Sequence, residues 1–364
     1  MLLQDFIKAL DYEAPFTLQE DYDNSGIQIG NPLQEVSKAL VCLDVTMEVV
    51  KEAQKKECDL ILSHHPLIFQ GLKRLSGDTP AEAVVIEAIR SNIAVVAIHT
   101  NLDKVFNGVN HALGLALGLK NLRILQSETG LLRKLATFVP LSHAGKVRAA
   151  VFAAGAGHIG DYDCCSFNLE GRGSFRAGDN TNPFVGNTNE LHYEEEVRIE
   201  TIFPVYKQSE IIAALLKTHP YEEVAYDIYP LDNRLNKVGS GMIGELAEPV
   251  SAVGFLDMVK QALKAPMVKH TVPHRRNIQR VALCGGSGAF LISTAIHSGA
   301  DAYVTGDVKY HQFFDATNKI LLVDAGHYET EQFTTYLIHD IIKKKIVNFA
   351  VLISEAKTNP VHYR

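Results

Sequence analysis

Short apolar segments alternate with helical patterns at the start of this chain, and this alternation strongly restricts how the chain can fold. Apolar runs at residues 39–43, 60–62 and 93–98 predict buried strands. Helical patterns at residues 47–56 and 81–91 lie between them. Strands that alternate with helices are typical of α/β proteins, so we expect a mostly parallel, doubly wound sheet.

The pattern changes near residue 131, and residues 131–232 contain many glycines and polar residues. Strands and helices are predicted in this segment, with strands at 135–139, 197–205 and 224–229 and helices at 145–153 and 209–218. Their order is close to strand, helix, strand, strand, helix, strand, which is typical of a ferredoxin-like α+β domain. A segment of about 100 residues is large enough to fold as a small domain.

The first pattern resumes after residue 244. Helices are predicted there at residues 252–263, 290–297 and 330–342, and strands at residues 281–284, 302–305 and 320–323. We therefore predict a discontinuous α/β domain, formed by residues 1–130 plus 233–364, with an inserted α+β domain at residues 131–232. Three consecutive domains are the alternative, but the similar pattern on both sides of the insert favours the interruption.

The composition argues against some classes of function. Lys and Arg number 35 against 42 Asp and Glu, and the net charge of −7 offers phosphates no general attraction, so no nucleic acid partner is expected. No stretch of about 20 apolar residues lacks charge, so no membrane span is expected. The five cysteines include the neighbours Cys164 and Cys165, between which a disulfide would be strained. Reduced thiols and a cytoplasmic location are therefore expected.

Polar residues with reactive side chains lie where the predicted strands of the α/β pattern end. These segments are residues 63–65, 99–103, 305–307 and 324–331. In open α/β sheets, ligands bind outside the carboxyl ends of the strands. Residues that are distant in the sequence are therefore expected to meet in one crevice.

The histidines and carboxylates in these segments have the types and the spacing of a metal site. On an extended chain the rings of His64 and His65 point in different directions, so two neighbouring ions could each take one. His327 and Glu331 are four residues apart, so a helix would place both on one face. With Asp103 as a further oxygen ligand, the set fits a dinuclear site for zinc, iron or manganese.

Each half of this set also has an ordinary structural explanation. His64 and His65 could form a hydrogen-bonded turn pair, and His327 with Glu331 could form a solvated ion pair. From spacing alone, the joint metal site and these explanations are about equally well supported.

Two further features could take part in ligand binding or catalysis, but their sequence patterns are less specific. The glycine-rich residues 285–288 follow a predicted strand, where backbone N–H groups can bind phosphate. They match neither of the two nucleotide-binding motifs in full, since they lack Gly-Lys-Ser/Thr and a complete GxGxxG. A plain tight turn is therefore the favoured interpretation. His311 could carry protons beside a metal, or it could simply lie on a helix surface.

Six short segments together carry a specific resemblance. They are residues 21–26 (DYDNSG), 63–66 (SHHP), 99–103 (HTNLD), 285–288 (GGSG), 305–307 (TGD) and 326–331 (GHYETE). In these segments and in their order, the chain resembles the GTP cyclohydrolase 1 type 2 homologues, also called the Nif-three-like family. Residues 154–160 and 219–224 resemble the PII and CutA trimeric proteins, which are similar to the extra domain of the longer family members.

This resemblance implies a Nif-three-like α/β domain with an inserted ferredoxin-like, PII/CutA-like domain. It implies two divalent metal ions per chain, held by His64, His65, Asp103, His327 and Glu331. Of these, Glu331 would bridge the two ions. Tyr328 stands where the family often has a second histidine, but that position is not among the implied ligands. The resemblance also implies self-assembly into a toroidal homohexamer, a dimer of trimers with metal sites that face an internal cavity.

Two classes of function follow. The first is a metal-dependent hydrolase that acts on a nucleotide-like or cyclic amide small molecule, with His99 or His311 as a proton carrier. The family name suggests that such a reaction opens the guanine ring of GTP with loss of formate. The second class is a non-catalytic metal-binding or regulatory assembly protein, which acts as a carrier, sensor or adaptor. The acidic charge balance gives no support to a third role, in transcription.

Overall fold

The computed structural model describes residues 1–364 of the chain. The chain forms two compact units. The first unit combines Met1–Ser127 with Lys237–Arg364, and the second unit is Glu128–Asn236. No helix of the chain is both long enough and apolar enough to cross a membrane.

The strands and helices are numbered here in chain order. The strands are β1 (Gly26–Ile29), β2 (Lys38–Cys42), β3 (Leu60–Ser63), β4 (Ala94–Ala97), β5 (Lys120–Glu128), β6 (Leu132–Pro140), β7 (Phe167–Arg176), β8 (Leu191–Pro204), β9 (Tyr226–Leu231), β10 (Leu235–Ser251), β11 (Lys269–His270), β12 (Asn277–Ser287), β13 (Ala302–Gly306), β14 (Leu321–Asp324) and β15 (Ala350–Ile353). The helices are α1 (Leu3–Glu13), α2 (Met47–Lys55), α3 (Pro80–Arg90), α4 (Thr100–Lys104), α5 (Val109–Ala116), α6 (Ala144–Ala153), α7 (Gln208–Thr218), α8 (Ala252–Ala262), α9 (Ile292–His297), α10 (Gln312–Ala316), α11 (His327–Glu331) and α12 (Thr334–Lys345).

The first sheet of the first unit has the order β1-β4-β3-β2-β15. Its strands are parallel except β1, which pairs antiparallel with β4 at the edge. Leu40, Ile61 and Val95 on one face pack with α2 and α3, whereas Val41 and Leu62 on the other face pack with α1 and α12. Both faces are therefore buried, which explains why these strands are continuous apolar runs.

The second sheet of the first unit has the order β11-β14-β13-β12-β10-β5. Its centre, β12 to β14, is parallel, and β10 and β11 add antiparallel strands on either side. Leu283 and Val304 pack with α5 and α8 on one face, and Ala282 and Tyr303 pack with α9 and α10 on the other. This sheet is thus also covered on both faces.

The second unit contains one antiparallel sheet with the order β7-β8-β6-β9. Its chain order is β6, α6, β7, β8, α7, β9. Val147 of α6 and Leu215 of α7 pack against Leu135, Ile199 and neighbouring side chains of the sheet. The core of this unit therefore lies between the sheet and its two helices.

The predicted mixed α/β architecture is confirmed, and several details differ from expectation. The first unit contains two sheets, because alternation along the chain predicts parallel neighbours but does not indicate where one sheet ends. The strand β7 was not predicted, since nearly all of its residues are exposed and it forms no apolar run. The single helix expected at 330–342 is divided into α11 and α12.

The carboxyl ends of the parallel strands in both sheets lie next to the segments that the sequence singled out. His64 follows β3, His99 lies just after β4, and Asp307 follows β13. Asn110 of α5 links the two halves of the unit: its side-chain amide donates to the Asp103 carbonyl at 3.0 Å and its Oδ1 accepts from Gly285 N at 2.9 Å. The two sheet ends thereby border one site.

Candidate metal centre

Two groups of potential metal ligands lie where the ends of the two sheets meet, and both groups include His65. Ring nitrogens of His64, His65 and His99 form one group, and His65, His327 and Glu331 form the other. Within each group, one ligand atom from every residue lies within 4.8 Å of the others. Histidines and a carboxylate at this spacing are a donor set that zinc, iron or manganese accepts.

Glu331 lies at the centre of the cluster and is only 4% exposed. Its Oε2 is 2.9 Å from His65 Nε2 and 3.0 Å from His327 Nε2, while its Oε1 is 3.9 Å from His64 Nε2. Burial alone would raise the pKa of Glu331, but interactions with the three imidazoles hold this pKa well below its ordinary value. The carboxylate is therefore charged at neutral pH despite its burial.

Each histidine of the cluster is fixed by a hydrogen bond from its other ring nitrogen. Nδ1 of each ring donates to an oxygen: His64 to the Ile98 carbonyl at 2.9 Å, His65 to Asp44 at 2.7 Å, His99 to Asp23 at 2.7 Å and His327 to Asp307 at 2.7 Å. Carbonyl and carboxylate oxygens can only accept, so the proton on Nδ1 is assigned. The Nε2 atoms are left for the cluster, which is the usual arrangement of metal-ligating histidines.

The carboxylates also change the charge of two rings. Burial alone would lower the pKa of His65 and of His327, but their carboxylate partners raise these pKa values to about 10 and about 9. In the metal-free protein each of the two rings therefore carries a second proton, on Nε2, and a positive charge at neutral pH. These protons offset the charge of the neighbouring carboxylates, a task that a cation can also perform.

The environment of His64 tests whether a metal ion fits. The His64 side chain is fully buried, and its Nε2 has no hydrogen-bond partner. This atom is 3.7 Å from Asp103 Oδ1 and 3.9 Å from Glu331 Oε1, too far for a hydrogen bond to either. A buried polar atom without a hydrogen-bond partner reduces the stability of the folded protein. A cation shared with these carboxylates would satisfy it, so the residues present fit a metal ion.

Asp103 completes the oxygen donors on the side of His64. Burial and the nearby charge of Glu331 raise the pKa of Asp103, whereas His64 acts in the opposite direction. Two carboxylates that face the same histidine repel one another unless a positive charge lies between them. This arrangement again favours a cation at the cluster.

The cluster opens into a cavity of about 870 Å³. Its wall includes Tyr22, Phe69 and Phe290 as well as Asp103, Lys104 and other polar residues. Near the end of the chain, Asn359, Pro360, Val361 and Tyr363 also line it. A small molecule would thus contact aromatic, apolar and charged groups beside the cluster.

Residues 1–360 match the family described as Duf34/NIF3 (NGG1p interacting factor 3). This chain belongs to the Duf34/NIF3 family. Its relatives include proteins named GTP cyclohydrolase 1 type 2 homolog from Bacillus subtilis and Halalkalibacterium halodurans, which are 39% and 38% identical over 362 residues. Each alignment covers 98% of this chain and 97% of the relative. The resemblance carried by the six segments is thereby confirmed.

Solved structures of this family have the same fold. The crystal structure of a Bacillus cereus protein related to NIF3 is 37% identical, with a TM-score of 0.88 over 100% of this chain and 99% of that chain. A Staphylococcus aureus protein of known structure is 30% identical, with a TM-score of 0.79 over the same shares of the two chains. The Duf34/NIF3 fold therefore extends over the whole chain, including the second unit.

The structure brings together the five residues that the sequence selected as ligands in this Duf34/NIF3 protein, and it adds one. His99, selected only as a proton carrier, lies with its ring centroid 5.2 Å from that of His64 and 5.4 Å from that of His65. His311 lies elsewhere: it is exposed, contacts Tyr310 and Phe314, and does not line the cavity. The roles of all these residues remain predictions.

The acidic residues that orient the histidines were the main omission of the sequence reasoning. Asp44 lies just beyond the carboxyl end of β2, so the rule that selected the other strand ends would also have selected it. Asp307 was within a selected segment but had no role. It adopts a positive φ of 54°, which is uncommon for a residue other than glycine and is found at functional sites.

The glycine-rich segment 285–288 forms a tight turn against the cluster. The N–H groups of Gly285, Gly286 and Gly288 donate to the side chains of Asn110, Thr330 and Thr305. These donors are therefore not available to bind a phosphate. A Cβ on Gly286, which has a φ of +58°, would collide with Oε1 of Glu331. Glycine is needed here because the chain passes so close to the central carboxylate.

We expect Gly286→Ala to lower zinc affinity at least about 10-fold, because the added methyl group must displace the Glu331 carboxylate. Gly118→Ala is the matched control: Gly118 also has a positive φ, +69°, but nothing lies within 4 Å of its Cβ position. Backbone strain alone should cost each variant about 1 kcal/mol of unfolding free energy. Calorimetric titration with zinc and urea denaturation measure the two effects. Equal zinc affinity in the two variants would contradict the prediction.

We expect Asp307→Asn to weaken zinc binding about 10-fold or more, because His327 loses the charged acceptor that fixes its ring. Asparagine tolerates the positive φ of this position, so little backbone strain is added. Asp315→Asn, at an exposed position of α10, is the control and should bind zinc as the wild type does. Zinc titration distinguishes the outcomes, and an unchanged affinity in Asp307→Asn would exclude a positioning role.

Proposed function

We propose that this Duf34/NIF3 protein binds two divalent metal ions per chain. The proposed ligands are those predicted from the sequence, namely His64, His65, Asp103, His327 and Glu331. The unpartnered, buried Nε2 of His64 carries the proposal most directly, because nothing in the protein satisfies it. The two oxygens of Glu331 face different histidines, which supports this residue as the bridge between the ions.

We propose further that the first unit is the predicted metal-binding domain and that the second is the predicted insert. All residues of the cavity wall belong to the first unit. The second unit has the strand–helix order and the antiparallel sheet order of a ferredoxin-like domain. These features support residues 1–130 plus 233–364 and residues 131–232 as separate domains.

The proposed activity is hydrolysis of a nucleotide-like or cyclic amide substrate. Divalent ions at such a site activate water and polarise the bond that is attacked. The chain itself supplies a proton carrier: Asp23 holds His99 through Nδ1, so Nε2 of His99 is the atom that can accept and return a proton. The cavity beside this ring has room for a small substrate.

A non-catalytic assembly protein is the second candidate, and the second unit favours it. The side chains of Phe167 and Leu169, on one face of the edge strand β7, are more than half exposed. An edge strand that carries exposed apolar side chains is suited to contact with another chain. A carrier, sensor or adaptor would use this surface without turnover at the metal centre.

We expect protein purified without added metal to contain about two equivalents of zinc, iron or manganese per chain. Replacement of a ligand in Asp103→Ala should reduce this content, and elemental analysis measures it. Under the hydrolase proposal, Asp103→Ala also abolishes turnover of nucleotides or cyclic amides while the assembly remains intact. If no tested metal-loaded preparation hydrolyses these substrates, and the variant loses only metal or partner binding, the carrier is favoured.

We expect His99→Ala to lower kcat about 100-fold or more while the bound metal is retained, because its Nε2 no longer transfers a proton. His311→Ala is the comparison, since His311 does not line the cavity. Steady-state kinetics and elemental analysis of both variants check this. A loss of metal in His99→Ala would make His99 a ligand, and a kcat loss confined to His311→Ala would assign the proton transfer to that residue.

We also propose that the chain assembles with itself into a homohexamer, as its resemblance implied, through the exposed strand β7. Light scattering should then give about six times the chain mass of 40.1 kDa. Leu169→Glu should give smaller species, because it places a charge within the proposed contact. Leu33→Glu, at an exposed position of the first unit, is the control. A monomeric wild type would refute this assembly.

A further inference from the structure

Two aromatic rings of the cavity wall lie beside the proposed metal centre and are largely uncovered. Tyr22 and Phe69 are 67% and 47% exposed, and their ring centroids are 6.4 Å apart. The Phe69 ring also forms a T-shaped pair with the His99 ring, with a centroid distance of 6.3 Å. An aromatic surface therefore extends from the histidine cluster into the cavity.

Residues 21–28 hold this surface in place. Asn24 donates from its side chain to the Ile68 carbonyl at 2.6 Å, and Gln28 accepts from Ile68 N at 3.1 Å. These bonds fix the loop that carries Phe69. Asp23, the next residue after Tyr22, holds His99. The aromatic rings and the proton carrier are thus positioned by one short segment, as a preformed binding surface requires.

The charges of the cavity wall argue against a polyanionic ligand. Seven carboxylate side chains and two lysines line the cavity, and no arginine does. Both lysines are already engaged: Lys104 with Glu20 at 2.9 Å and Lys269 with Asp324 at 2.6 Å. The remaining five carboxylates outweigh the four positive charges of two divalent ions. A triphosphate would find no surplus positive charge.

The glycine-rich turn beside the cluster offers phosphate no free donor. Besides metal ions, recognition of phosphate uses arginine, lysine or free N–H groups at a turn or helix start. The N–H groups of Gly285, Gly286 and Gly288 are occupied by side chains of the protein. The stacking surface of Tyr22 and Phe69 needs no charge on the ligand.

We propose that the cavity binds a planar, uncharged ring, such as a nucleobase, a nucleoside or a cyclic amide, and discriminates against a nucleoside triphosphate. The ring stacks on one of the two aromatic side chains, Tyr22 or Phe69, and contacts the other, since their planes are inclined at 54°. This inference rests on the proposed metal centre and narrows its substrate class. Stacking would place the edge of the ring near His99 and the histidine cluster, since Phe69 contacts His99. The ring edge is where hydrolysis of a cyclic amide or a base takes place.

Calorimetric titration of the full-length, metal-loaded protein with guanosine and with GTP tests the charge argument, because the two probes share one ring. Guanosine should bind at least about 10-fold more tightly than GTP. Metal content is measured after each titration, since a triphosphate can remove metal ions. Tighter binding of GTP with the metal retained would overturn the proposal. Dihydrouracil serves as a second uncharged ring, and failure of both rings to bind would also overturn it.

Two variants test the stacking argument. Phe69→Ala and Tyr22→Ala should each weaken guanosine binding roughly 5- to 100-fold, as expected when a stacking ring is removed. Phe314→Ala is the matched control, because Phe314 is also an exposed phenylalanine, 60% exposed, but lies outside the cavity wall. Unchanged guanosine affinity in both test variants would refute the stacking surface. These titrations measure binding and do not require turnover. If the protein binds the ring but hydrolyses none of it, the proposed hydrolase activity is disproved and the proposed binding surface is not.

Discussion

The buried carboxylate of Glu331 is the interaction on which the centre of this molecule depends. A charged group with 4% exposure is stable only when opposite charge or hydrogen bonds surround it. His65 and His327 supply them, each oriented by a further carboxylate, Asp44 or Asp307. Charge therefore alternates outward from Glu331 through imidazole to carboxylate. This alternation fixes the rings of the cluster before any ligand arrives.

The two sheets of the first unit explain how residues so distant in sequence can meet. His64 and His65 come from the end of β3, and Glu331 comes from the end of α11, which follows β14. The carboxyl ends of parallel strands leave polar groups free to face a ligand. Asn110, bonded to both Asp103 and Gly285, connects the two sets of strand ends. The cluster thus depends on tertiary packing as much as on its own residue types.

The sequence predicted the buried strands well, because β2 to β4 are covered on both faces and form apolar runs. It did not predict β7, whose exposed residues follow no such pattern. Residue type and spacing selected the five proposed ligands. They did not indicate that Asp44 bonds His65, or that Phe69 lies beside His99, because these pairs are set by strand order and loop path. Local patterns contain no information about either.

The position of β15 has a consequence for the order of events during synthesis. β15 pairs with β2, so the first sheet gains this strand only after the intervening residues 43–349 have been synthesised. Glu331 and His327 also emerge late. The second unit, by contrast, is continuous in sequence and can fold while the rest of the chain is still being made. During translation, His64 and His65 therefore precede two of the other proposed ligands, His327 and Glu331, by more than 260 residues. The complete cluster can form only after residue 331 has been synthesised.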